Sequence, residues 1–172
     1  AEAGRSAGYS YLGITDHSQA AAYAGGLNPD DIIRQHAEID TANAGRGDCR
    51  ILKGVEADIL ADGTLDYTPA IRASFDFVIA SVHSRFNLSE EDQTRRICRA
   101  LSNPYVTMLG HATGRLLLSR DAYRVDMYKV LDAAAEHGKI VEINANPHRL
   151  DLDWRLCGYA MARGVKFSIN PD

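Results

Sequence analysis

Five side chains able to ligate a metal recur where apolar, β-prone runs end. His17 closes the run that starts Tyr11-Leu-Gly-Ile-Thr, and Glu56 closes Ile51-Leu-Lys-Gly-Val. His83 follows Phe77-Val-Ile-Ala-Ser-Val, His111 follows Val106-Thr-Met-Leu-Gly, and Asp172 follows Val165-Lys-Phe-Ser-Ile. A lone histidine at a strand end is more often a hydrogen-bonded imidazole than a ligand. The recurrence is what carries weight, because the ends of parallel barrel strands meet on one rim. Neutral imidazole together with carboxylate suits zinc, manganese or iron rather than calcium. Metal-assisted hydrolysis needs such ligands on rigid elements, with positions left open for water and substrate.

Other polar residues near these ends admit two readings. Asp16 would point to the opposite face from His17 if the strand continued, and so could orient a ligand histidine or cap the turn. Arg85, Arg115 and Arg149 lie just beyond three strand ends, where guanidinium groups would suit a phosphate or phosphodiester; ordinary surface arginine is the alternative. Asn144 and Asn146 could donate to substrate or satisfy loop backbone. Asp58 and Asp62 are read as turn residues. Arg95, Arg96 and Arg99 are read as a solvated helix face. His36 reads as an edge-of-core residue, His137 as a helix-end residue favourable to the macrodipole, and His148 as a solvated loop residue.

The elements that must hold these residues alternate. The sequence predicts strands at about 10–16, toward Glu56, from Asp76 to His83, toward His111, over Ile140–Asn144, and toward Asn170. Asn28-Pro-Asp-Asp opens a helix to about Ala44, with Asn28 as cap and Pro29 in the first position. That helix is expected to stop in Gly45-Arg-Gly47. Ala61-Asp-Gly-Thr suggests a short hairpin, and a short helix is expected over Thr68–Ala73. Ser89-Glu-Glu-Asp caps a helix that Asn103-Pro-Tyr breaks. Met127, Val130, Leu131 and Ala134 keep helical spacing, so a helix is expected over about 121–137. Leu152, Leu156, Tyr159 and Ala160 mark the last one. The strand-end residues, Asn144 included, recur every 27 to 39 residues, the length of a βα unit. Right-handed crossovers then give one parallel sheet, and such apolar strands are expected to be covered on both faces.

The 172 residues suit a single domain spanning the whole chain. A net charge of -4 is less basic than a purely electrostatic nucleic-acid binder requires, so phosphate contacts would rest on local arginines and on metals. Cys49, Cys98 and Cys157 are widely spaced, with no Cys-x-x-Cys pair, which fits reduced thiols and a cytoplasmic setting. No apolar run is long enough to span a membrane, and the first residues show no signal-peptide pattern. Beginning Ala1-Glu-Ala-Gly-Arg without an initiator Met, the chain reads as the tail of a helix cut from a longer protein. Neither a phosphate-binding Gly-rich loop ending in Lys-Ser or Lys-Thr nor a Gly-x-Ser-x-Gly elbow is present.

Ile14-Thr-Asp-His17, Gly54-Val-Glu-Ala-Asp58, Ala80-Ser-Val-His83 and Gly110-His111 resemble the PHP (polymerase and histidinol phosphatase) domain. Longer motifs narrow the resemblance: Leu52-Lys-Gly-Val-Glu-Ala-Asp-Ile-Leu, Ser81-Val-His-Ser-Arg-Phe, Asn103-Pro-Tyr, Gly110-His-Ala-Thr-Gly-Arg-Leu, and Glu142-Ile-Asn-Ala-Asn-Pro-His-Arg-Leu-Asp. Together they look like the C-terminal PHP domain of a bacterial family X DNA polymerase.

The resemblance implies an α/β fold, a distorted (β/α)7 TIM-like barrel of PHP type, here without its first strand and its final ligand segment. It implies up to three divalent ions, manganese or zinc, with fewer in this chain. By carry-over, Glu56, His83 and His111 form one site, Glu56 bridges to a second that takes Asp172, and His17 serves a third. Glu56, His83, His111 and Asp172 would be catalytic, Arg85, Arg115 and Arg149 would meet substrate phosphate, and Asp16 and Asn144 would stand behind the ligands. The implied activity is 3′→5′ exonuclease and DNA-end processing in repair, acting on DNA 3′ ends beside a polymerase domain. A histidinol-phosphatase-like phosphomonoesterase and a non-catalytic module supporting a polymerase are the alternatives.

Overall fold

The computed structural model describes residues 2–45 and 49–172. Six strands alternate with helices: α1 (Glu2–Ser6), β1 (Tyr11–His17), α2 (Pro29–Ala44), β2 (Arg50–Asp58), α3 (Pro69–Arg72), β3 (Phe77–Ser81), α4 (Glu90–Leu101), β4 (Met108–Leu109), α5 (Met127–Glu136), β5 (Ile140–Asn144), α6 (Trp154–Ala162) and β6 (Lys166–Asn170). Every strand pair is parallel, and the sheet order is β1-β2-β3-β4-β5-β6. Chain order equals spatial order, as in the wall of a barrel; a doubly wound sheet reverses. Residues of all six strands line one cavity of about 670 Å³, so the sheet is curled around it. Among the described residues no ladder joins β6 to β1, and the wall is open along that side.

Local chemistry sets the helix ends. The Asn28 side chain accepts from the amides of Asp30 and Asp31, and the Asp31 carboxylate accepts from the Asn28 amide at 3.1 Å. Ser89 Oγ accepts from Asp92 N at 3.1 Å. The expected stop of α2 beyond Gly45, in Arg46 and Gly47, lies outside the described residues. The helix expected over 121–137 is shorter. Asp126 is its cap, accepting from Lys129 N at 3.2 Å. Tyr123, buried ahead of that cap, donates its hydroxyl to the Ala112 carbonyl at 2.7 Å, so this stretch tethers the loop after β4. The hairpin at Ala61–Thr64 is present as an antiparallel bridge between Ile59 and Leu65.

The two faces of the sheet differ. Val55, Ala57, Val78, Ala80, Leu109 and Val141 face outward and pack against Ile97 and Leu101 of α4 and Val130 and Leu131 of α5. The concave face carries the alternate residues, and expected cover on both faces is corrected there. Tyr11 on β1 and Ile169 on β6 are 67% and 73% exposed. Phe77 fills the inside of the curl because Gly13 and Gly54 leave room for it. A Cβ at Gly54 would lie 2.3 Å from the Phe77 ring, and one at Gly13 would lie 2.6 Å away. Among the described residues, no helix is long and apolar enough to cross a membrane. Cys49, Cys98 and Cys157 are free thiols.

Candidate metal centre

Parallel register brings the strand ends together. His17, the last residue of β1, sits opposite Glu56 on β2. His83 lies two residues beyond β3, and His111 two beyond β4. Ladder bonds run on past the short β4, from Gly110 N to the Ala80 carbonyl at 3.0 Å, so His111 is held at the same rim.

Glu56 is the hub. Its Oε1 is 3.2 Å from His83 Nε2 and 2.9 Å from His111 Nε2, while its Oε2 is 3.4 Å from His17 Nδ1. The His83 ring stands edge-on to both other imidazoles, with centroids 5.0 Å apart in each case. Ligand atoms of His17, Glu56 and His83 all lie within 4.8 Å of one another. His111 joins this trio through Glu56 Oε1, so one carboxylate meets all three imidazoles. An ion with bonds of about 2.0–2.1 Å sets neighbouring donor atoms about 2.9–3.4 Å apart. The three distances from the Glu56 carboxylate fall in that range. Buried His17 Nδ1, the nitrogen that faces Glu56, has no hydrogen-bond partner, as expected of an atom kept for a ligand. The residues fit a divalent cation.

The charged forms of Glu56 and His83 favour each other. Burial works to raise the Glu56 carboxyl, but hydrogen bonds from His111 and His83 override it and hold the group well below the usual carboxylate range. For His83, burial works downward, and hydrogen bonds to Asp58 and Glu56 push it up to about 9.

Asp58 is a correction to the sequence reading. It is 3% exposed and accepts from His83 Nδ1 in a 2.5 Å hydrogen bond rather than serving a turn. That leaves His83 Nε2 facing Glu56. Asp16, expected behind a ligand histidine, turns instead to α2 and accepts from Gln35. The signal that could have found Asp58 is its position two residues after Glu56 on one strand, which puts both on one face.

A second buried carboxylate fixes the backbone of the rim. Glu142 Oε2 accepts from His111 N at 2.6 Å and from Asn144 Nδ2 at 3.1 Å, and its Oε1 accepts from Asn170 Nδ2 at 2.9 Å. His111 is thereby held at φ +22°, sparsely populated for a side-chain-bearing residue. Asn144 touches Glu142, which in turn accepts from the His111 backbone. The Asn146 side chain serves the loop, accepting from His148 N at 2.9 Å.

Arg96 is the other correction. Only 2% exposed, it donates to the carbonyls of Ile59, Leu60 and Ser84 and thereby joins the loops beyond Asp58 and His83. A solvated face was expected there.

The remaining expected residues divide. Arg149 Nε donates to Asp172 Oδ2 at 2.5 Å, and its buried Nη1 has no partner. Asp172 lines the same concavity as Glu56 but is held by Arg149, apart from the Glu56 cluster. Arg115 is committed to structure, donating to the carbonyls of Arg149 and Leu150. Exposed Arg85, at φ +57°, makes no hydrogen bond or ion pair among the described residues. His36 packs edge-on against Phe75 away from the centre, and His137 and His148 are exposed.

No protein-family model matches the chain. Individual relatives do. The chain is 45% identical over all 172 residues to the DNA polymerase/3′-5′ exonuclease PolX of Bacillus subtilis, spanning 30% of that protein. It is 42% identical over 98 residues to a probable phosphatase of Caldanaerobacter subterraneus, and 36% identical over 100 residues to one of Clostridium acetobutylicum. Those two matches cover 55% and 56% of this chain and 36% and 38% of the relatives. The chain therefore spans about a third of the length of the curated relatives it matches. The resemblance read from short motifs extends over its whole length.

Proposed function

We propose that this relative of the bacterial PolX proteins is a PHP-type, metal-assisted phosphoesterase domain that cleaves phosphodiesters at DNA 3′ ends. The observation that carries the reading is the Glu56 carboxylate, met at ligand spacing by three imidazoles on one rim. His17, Glu56, His83 and His111 would hold divalent ions, manganese or zinc, and Asp172 would join them on leaving Arg149. Such an ion supplies Lewis acidity toward a phosphoryl oxygen. Glu56 presents one oxygen to His83 and His111 and the other to His17, an arrangement suited to bridging two ions. Asp58 holds the His83 proton at Nδ1 and so keeps Nε2 for the centre. Arg149 and Arg85 would take the charge of a phosphate. In a longer protein the domain would work beside a polymerase domain, on ends that domain also meets.

The similarity to probable phosphatases favours a second reading, a phosphomonoesterase on the same centre. One experiment separates the two. The 172-residue chain is loaded with manganese or zinc, then given end-labelled single-stranded DNA and, separately, a small phosphomonoester. Shortening of the DNA that is lost in Glu56→Ala and His83→Ala is the expected result. Release of phosphate from the monoester alone selects the second reading. Hydrolysis of neither overturns both and leaves a structural module, and shortening that survives both substitutions overturns the metal assignment.

A further inference from the structure

The loop between β1 and α2 is pinned far more firmly than its surface position requires. Ser18 N donates to the Glu56 carbonyl at 3.0 Å, and Leu27 N donates back to the His17 carbonyl at 2.9 Å. Ala20 N donates to Asp66 Oδ2 at 2.9 Å, and the Tyr67 hydroxyl donates to the Leu27 carbonyl. Ser18 and Ala21 are fully buried. Gly26 closes the loop against its own start, so tightly that a Cβ there would lie 2.0 Å from the Ser18 carbonyl oxygen. One 3-10 turn, Ala22–Ala24, crowns the loop.

This rigid support holds an aromatic ring in water. Tyr23, in the middle of that turn, is 75% exposed. Its ring centroid is 6.5 Å from that of His17, with the planes inclined at 47°. Exposing this much apolar surface contributes nothing to packing. A flat aromatic held beside the imidazole of His17 at the centre is, however, the kind of surface that grips single-stranded nucleic acids, by stacking of unpaired bases on π-faces.

We propose that Tyr23 is a stacking platform for the unpaired nucleobase next to the phosphate under attack, selecting single-stranded nucleic-acid ends over phosphoesters that carry no base. It rests on the phosphoesterase reading of the centre and adds a substrate determinant to it. No bond forms or breaks at Tyr23. The phenol hydroxyl is not required, so Phe should serve as well.

The test uses the 172-residue chain and two single-stranded oligonucleotides, one ending 3′ in the fluorescent base 2-aminopurine and one ending in a base-free sugar. Binding is followed without added metal, so turnover does not interfere. The wild-type chain and Tyr23→Phe are expected to quench the 2-aminopurine and to bind that strand about tenfold more tightly than Tyr23→Ala does. Binding of the base-free strand should be the same for all three. Equal losses on both strands, no loss on either, or absence of quenching in the wild-type chain would overturn the proposal. A chain that stacks the base but hydrolyses nothing would sink the phosphoesterase reading and leave Tyr23 as a base platform.

Discussion

Asp58 Oδ1 lies 2.5 Å from His83 Nδ1, and this bond decides which nitrogen of His83 faces Glu56. Asp58 is buried and cannot be replaced by water. We expect Asp58→Asn to keep the fold while weakening affinity for manganese or zinc about 10- to 100-fold, the usual cost of removing a carboxylate behind a ligand histidine. Calorimetric titration with each metal checks this. Unchanged affinity would show that the imidazole is oriented by packing alone.

Glu142 supports the rim through its acceptors, so Glu142→Gln should harm stability as well as metal binding. The substitution turns an NH2 group toward donors already in place: His111 N, Asn144 Nδ2 and Asn170 Nδ2. A buried donor left unpaired costs about 1–3 kcal/mol. Urea unfolding should report a loss of that size, with a matching fall in affinity for metal.

Steric fit inside the curl gives a third expectation. Gly54→Ala puts a methyl group 2.3 Å from the Phe77 ring and 2.8 Å from the Ile14 carbonyl oxygen. Overpacking of this kind costs about 1–3 kcal/mol. Adding Phe77→Leu should reduce the loss but not remove it, because the Ile14 carbonyl is backbone and cannot withdraw. A double-mutant cycle by thermal unfolding measures the coupling, and strict additivity would show that Phe77 does not occupy the space beside Gly54.

Asp66 predicts a pH dependence. Burial raises its carboxyl most, the Ala20 amide and the Ser18 hydroxyl oppose, and the Asp58 charge adds to the rise. The folded chain therefore holds this proton more tightly than the unfolded chain does, so ionisation above the raised value costs stability. Asp66→Asn should stabilise the fold at neutral pH. That gain should fade as pH falls through the raised value toward the ordinary carboxylate range, where the wild-type group is protonated too. Melting curves at both ends of that window check the sign.

Strand-end chemistry was legible in the sequence because parallel strands all deliver their ends to one side. His17, Glu56, His83 and His111 needed only that rule to be placed together. Asp172 shows its limit, since a strand-end rule does not say which neighbour will take the side chain, and here Arg149 holds it. Asp58 and Arg96 were misread for a common reason. Each is a charged residue next to turn- or surface-like neighbours, and burial comes from elements distant in sequence: α4 reaches over the loops after β2 and β3. Tyr123 shortens α5 in the same way, because a tertiary hydrogen bond to Ala112 outweighs the local helical pattern.

A sheet whose spatial order follows its chain order has a consequence for cooperativity. His17, Glu56 and His83 come from the first three strands, and His111 from just beyond the fourth, whereas β5 and β6 supply none of the imidazoles. An ion held by those groups adds its binding free energy to openings that separate β1, β2 and β3, and reaches the fraying of β6 through Asp172 when that carboxylate leaves Arg149 for the centre. Amide exchange should therefore slow most in the first three strands on loading, and slowing that extends to β6 would report that Asp172 has joined the ion.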